Sequence, residues 1–98
     1  MFTTKERSKL RSLAQKIEPI GQIGKNGVTD NMLEGLSAAL DKRELIKLTV
    51  LKNSDDDIIE IGNFIAEKLG AEFVCATGRK IVVYRKSDKP GVVHIKYQ

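Results

Sequence analysis

Residues 19–36 read PIGQIGKNGVTDNMLEGL, and they organise the rest of the chain. Pro19 pushes Glu18 away from helical angles, so a preceding helix must stop here. Residues 19–23 then read as a short strand, and Gly24-Lys25-Asn26-Gly27 as a tight turn. Thr29 is a good N-cap for the helix that follows. Asp30 puts a negative charge in its first turn, where the helix end is positive. Met32, Leu33, Leu36, Ala39 and Leu40 recur at helical spacing and form one apolar face.

Upstream, Thr3-Thr4-Lys5-Glu6 has the form of a capping box. Leu10, Leu13, Ala14 and Ile17 follow at helical spacing, which predicts a first helix over about 4–16. Downstream, 44–51 reads as a strand with Ile46, Leu48 and Val50 on one face. Leu45 and Leu51 lie on the other, so both sides of the sheet are expected to be partly covered. Ser54 is expected to cap a third helix, with Asp57 three residues later and Ile58, Ile61, Ile65 and Leu69 as its buried stripe. Gly70 suits the position just past a helix, where a left-handed backbone costs least without a Cβ. Residues 72–76 and 80–85 read as strands of a hairpin around Thr77-Gly78-Arg79. Residues 88–91 read as a turn and 92–97 as a marginal last strand. The order is αβαβαββ, and the expected class is α/β (α+β) with a four-stranded mixed sheet and packed helices. One domain spans 1–98, with a core over about 4–86 and a tail over 87–98.

The chain has 98 residues, 41% hydrophobic and 31% charged, with a formal net charge of +4. Length and balance fit one small globular domain. No apolar run approaches the roughly 18 residues of a membrane span. The N-terminal stretch lacks the apolar core of a signal peptide, so a cytoplasmic protein is expected. The charge is segregated. Residues 1–17 hold five basic groups and one acid, 54–72 hold one basic group and six acids, and 79–98 hold six basic groups and one acid. A basic face turned to a polyanion accounts for this pattern. Charge kept for solubility accounts for it equally well.

Catalytic and metal chemistry find little support. One cysteine excludes an internal disulfide and any multi-cysteine metal site, and one histidine leaves little for zinc. Asp55-Asp56-Asp57-Glu60 is better explained by capping and helix-dipole complementarity than by a metal, because neighbouring side chains point apart. Cys75 reads as a buried strand residue and Tyr84 as a core aromatic. No enzyme, cofactor, small-molecule substrate or membrane partner is expected.

The glycine loop has two explanations. Gly24 and Gly27 allow a phosphate close to the backbone, Lys25 adds a mobile charge, and the start of the next helix offers unpaired N–H groups. Asn26 supplies an amide and tolerates left-handed angles. An Asn-Gly turn joining strand to helix needs no ligand at all. The spacing is neither the dinucleotide G-x-G-x-x-G nor a P-loop. G-x-x-G is the clamp that KH domains close on a nucleic-acid backbone. Arg7 and Arg11 share one face of the first helix, with Lys5, Lys9 and Lys16 nearby. Arg79 and Lys80 sit at the hairpin tip and Arg85 at its end. All are candidates for phosphate contact, and each is also explicable as surface charge. Arg43-Glu44 is expected to form an ion pair or simply lie at the surface, and Lys47 to reach either solvent or phosphate.

Taken together, the chain resembles the bacterial YhbY-type RNA-binding proteins, the single-domain form of the CRM (chloroplast RNA splicing and ribosome maturation) module. Arg11-Ser12-Leu13-Ala14, Pro19-Ile20 and Ile23-Gly24-Lys25-Asn26-Gly27-Val28-Thr29 carry the likeness. Arg43-Glu44-Leu45-Ile46-Lys47 and Gly78-Arg79-Lys80-Ile81-Val82-Val83-Tyr84-Arg85 continue it, in order, over about 4–86. Gln15 departs from the histidine that often follows Leu-Ala in the family. The resemblance implies a fold like the C-terminal domain of translation initiation factor 3. It implies RNA binding through a loop that falls on Gly24, Lys25, Asn26 and Gly27 and through neighbouring basic groups, for which the residue reading offers Arg7, Arg11, Lys16, Arg79, Lys80 and Arg85, with Thr29 at the start of the following helix. For bacterial members it further implies association with rRNA in large-subunit precursors, where ribosomal proteins are an additional candidate partner. A protein-interaction module using the acidic third helix is the alternative.

Overall fold

The computed structural model describes residues 3–52, 57–92 and 94–95. Helices α1 (Thr4–Ala14), α2 (Asp30–Arg43) and α3 (Ile58–Leu69) alternate with strands β1 (Gly21–Ile23), β2 (Leu45–Val50), β3 (Glu72–Thr77) and β4 (Lys80–Tyr84). The sheet runs β1-β2-β4-β3. β1 lies parallel to β2, and the other neighbours are antiparallel. This is the αβαβαββ order and mixed sheet that the sequence predicts, with most elements slightly shorter.

Local signals set the helix starts. Thr3 N–H donates to Glu6 Oε1 at 2.9 Å, and Glu6 N–H returns to Thr3 Oγ1 at 3.1 Å, a closed capping box. Thr29 Oγ1 accepts from Met32 N–H at 3.2 Å. α3 is capped by Asp57, whose carboxylate accepts from the N–H groups of Ile59 and Glu60 at 2.8 and 3.2 Å. The acid therefore caps the helix rather than standing inside it. The cap expected at Ser54, with Asp55 and Asp56, lies outside the described residues. Gly70 closes α3 at φ 61°, and Ala71 N–H reaches back to Ala66 O at 2.8 Å.

The sheet buries both faces unequally. Ile46, Leu48 and Val50 join Ile23, Leu36, Leu40, Ile61 and Ile65 in a core beneath α2 and α3. Leu45, Leu10, Ala14, Val74, Val82 and Tyr84 form a smaller core beneath α1. Alternation along β2 thus feeds both layers, as expected. Cys75 departs from expectation: it is only partly buried. A register shift between Phe73 and Cys75 interrupts the alternation. Val74 and Cys75 both pack toward α1, and Val74 takes the interior place.

Glu44 is the main correction. Expected in an ion pair or at the surface, it is fully buried, and its basic neighbour is His94 rather than Arg43. It ends α2 with φ 65°, a left-handed angle that normally favours glycine. Its carboxylate accepts from Ser87 N–H at 2.6 Å and Ile95 N–H at 2.8 Å, and lies 2.7 Å from His94 Nδ1. Ile95 packs onto the smaller core. The segment after β4 is thereby folded back onto the α2–β2 junction. Residues 92, 94 and 95 form no strand, and the rest of the strand expected over 92–97 lies outside the described residues. Burial pushes the Glu44 carboxyl up, but the hydrogen bonds from Ser87, His94 and Ile95 and the charge of His94 outweigh it. The group is held below the usual carboxylate range.

Candidate nucleic-acid interface

Strand directions gather the candidate residues. β1 and β2 run parallel, so their C-terminal ends share one edge of the sheet. β4 starts opposite the end of β2, with Lys80 paired to Thr49. The 24–29 loop, the hairpin tip and the connection leaving β2 therefore meet at one end. Leu51 N–H extends the ladder to Ile23 O at 2.8 Å just before the chain turns.

Gly24 to Gly27 is a β-turn closed by Gly27 N–H on Gly24 O at 3.0 Å. Lys25 and Asn26 occupy its exposed centre. The left-handed position is Gly27, at φ 70°, rather than Asn26. The turn delivers the chain to Thr29, whose hydroxyl is used as the α2 cap. The N–H groups of Asp30 and Asn31 find no partner among the described residues. They can donate to an anion. Asp30 sets its own carboxylate at the same helix start, and Lys25 adds a positive charge to the exposed turn that precedes it.

The other predicted residues divide. Arg11 and Lys80 are exposed and line one recess with Gln15, Lys47 and Thr77. Lys16 lies elsewhere, beside Arg43 and Ile95 in an apolar hollow at the start of β1 and β2. Three arginines serve the framework. Arg7 donates to Phe73 O and Val74 O, both at 2.7 Å, stitching α1 to the irregular part of β3. Arg79 donates from Nε to Val50 O at 2.8 Å and from its terminus to Leu51 O, closing the end of β2. Arg85 donates to Leu69 O at 2.8 Å and Ser37 O at 2.9 Å and pairs with Asp41 at 3.1 Å, joining α2, α3 and β4. These guanidinium groups satisfy carbonyls at element ends, which a bidentate donor does well. Lys47, expected to reach solvent or phosphate, instead turns inward and donates from Nζ to Ala14 O at 3.2 Å and Ile17 O at 3.4 Å. It therefore closes the C-terminal end of α1, where a cation is favoured.

The acidic start of α3 also reaches this end of the sheet, because α3 follows β2. Glu60, Ile61 and Phe64 border the same surface hollow as Val28. The approach on the α2–α3 side is thus flanked by Asp57 and Glu60. The approach on the α1 side is flanked by Arg11 and Lys80. A polyanion is favoured on the second.

A family model described as CRS1 / YhbY (CRM) domain matches residues 2–85. The chain belongs to this family. Among its relatives is "Probable RNA-binding protein YqeI" of Bacillus subtilis, 39% identical over 89 residues, which cover 91% of this chain and 93% of that protein. A protein of Haemophilus influenzae named "RNA-binding protein" is 32% identical over 88 residues, 90% of this chain and 89% of its own length. The solution structure of the hypothetical protein SAV1595 from Staphylococcus aureus has the same fold, with TM-score 0.78 and 41% identity, covering 97% of this chain and all of that one. The CRM fold is thus that of this chain from α1 to β4. The Bacillus subtilis and Haemophilus influenzae relatives are both named for RNA binding.

Proposed function

We propose that this CRM domain is a non-catalytic RNA-binding protein of the cytoplasm that engages rRNA in precursors of the large ribosomal subunit and assists their maturation. The observation that carries this is one edge of the sheet. There an exposed Gly24–Gly27 turn opens onto unpaired α2 N–H groups, with Lys25 beside it and Arg11 and Lys80 on the side away from the α3 acids. The names of the relatives support RNA as the partner. The RNA backbone rests on the turn and the start of α2, and the two outlying cations extend the footprint over the α1 side. Binding by backbone contact reads shape more than base sequence.

Sedimentation of cell extract tests this, with the full chain followed by antibody. It is expected to travel with large-subunit precursors and to be released by mild ribonuclease. Absence from those fractions, with the protein in free form at low salt, contradicts the assignment.

One observation favours a second reading. Ile59 and Phe64 of α3 are 56% and 43% exposed, on a surface that also carries Glu60 and Glu67. An acidic surface with apolar side chains suits a basic ribosomal protein. Association that survives ribonuclease would support this reading instead.

A further inference from the structure

Paired residues on neighbouring strands present their side chains to the same face, and on the α1 side they form rows. The outermost row is Gln22, Thr49, Lys80 and Thr77, one residue from each strand and all polar. The next row, Lys47, Val82 and Cys75, is mixed. The third pairs Leu45 with Tyr84 and is buried in the α1 core. α1 therefore covers the inner rows, and Gln22, Lys80 and Thr77 stay exposed beyond it.

Between α1 and the outer row lies a recess of about 180 Å³. Arg11 and Gln15 border it from α1, Lys47 from β2, and Thr77 and Lys80 from the hairpin, with Cys75 in its wall. Three of these residues are cations, and no lining residue is an acid. The side chains of Arg11 and Lys80 have no hydrogen bond or ion pair among the described residues. Lys47 spends two N–H groups on the carbonyls of Ala14, the last residue of α1, and Ile17 just beyond it, and keeps a third. By doing so it also offsets the negative helix end that would otherwise repel an anion. The volume equals that of about six waters at ~30 Å³ each. It falls short of the roughly 300 Å³ at which cofactor and drug-like sites begin. A phosphodiester group meets both limits: it is small, singly charged, and accepts from guanidinium and ammonium donors.

We propose that this recess seats one backbone phosphate of an RNA strand running from the Gly24–Gly27 turn across the Gln22–Thr49–Lys80–Thr77 row. The proposal rests on the RNA binding argued above and adds a second anchor, two interstrand spacings or roughly 10 Å from the turn's strand. The spacing of the two anchors fixes the direction in which the strand crosses the sheet.

Cys75, the chain's single cysteine, is a built-in reporter. Its alkylation by iodoacetamide is followed by mass in the full chain, with and without a short unstructured RNA at saturation. Binding is followed separately by the anisotropy of that RNA when labelled. RNA is expected to slow alkylation severalfold. A Gln15→Ala, Lys80→Ala double variant, altered only at exposed positions, is expected to bind about tenfold more weakly. The slope of its log affinity against log salt should be shallower by about 0.7, one phosphate contact on a single strand. Bound RNA with Cys75 alkylated at the unprotected rate overturns the seat and leaves RNA binding standing, even if the double variant is weakened. Failure of the wild type to bind RNA at low salt overturns the function proposed above as well.

Discussion

Replacing Lys25 and Asn26 together by aspartate is expected to weaken binding to large-subunit rRNA about a hundredfold, or ~2.7 kcal/mol. Both residues occupy the exposed centre of the Gly24–Gly27 turn, and neither donates or accepts a hydrogen bond among the described residues. The turn is closed through the main chain of the two glycines, so the fold should survive. What changes is the field. Lys25 is the cation of the turn that leads into α2, and the double change adds two carboxylates to the one Asp30 already sets before the unpaired N–H groups. A phosphate can then no longer approach them. The check is rRNA binding at two salt concentrations, after circular dichroism has shown an unaltered fold. The wild type should lose affinity steeply as salt rises. Unchanged affinity in the folded variant would reduce the loop to a turn.

Glu44→Ala is expected to produce the largest loss of stability, about 3 kcal/mol. For a domain of this size that lowers Tm by roughly 15 °C. The change leaves the N–H groups of Ser87 and Ile95 without their acceptor and frees the segment that folds back over the α1 core. It also leaves the strained backbone at φ 65°, since alanine adopts that angle no more readily. The wild type carries a matching pH dependence. The Glu44 carboxyl is held below its ordinary value of 4.5 in the folded state, so the unfolded chain binds the proton more tightly. Its contribution is fully present above about 4.5 and is lost as pH falls through the lowered value. Thermal melts of wild type and Glu44→Gln across that acidic range should converge, because the variant has no carboxylate to protonate. Parallel curves would show that Glu44 does not carry the dependence.

Much of the fold is legible in the sequence because its signals are local. Thr3 with Glu6, Thr29 before Asp30, and Gly70 after Leu69 each mark a helix end within a few residues. The alternation of Ile46, Leu48 and Val50 against Leu45 identifies a strand covered on both sides. The roles of single charged residues are less legible, because their partners are distant in the chain. Arg7, Arg79 and Arg85 look like any basic surface until β3, the end of β2 and the α2–α3 junction come beside them. Glu44 reads as a surface acid until Ser87, His94 and Ile95 return to it. Lys47 within an apolar strand was the one visible hint that a polar group faces α1. The nearness of the α3 acids to the glycine loop depends on strand order, which charge counts along the chain do not contain.

The most direct test of the central claim is to titrate a short unstructured RNA into the isotope-labelled full chain and map the backbone amide shifts by NMR. The expected result is a contiguous set of perturbed amides over Gly24 to Asn31, continuing through Gln22, Thr49 and Lys80 toward Arg11, with the amides of Glu60 to Lys68 unmoved. Perturbation centred on α3, or spread evenly over every basic residue including Lys16 and Lys89, would contradict an RNA site built on the glycine turn.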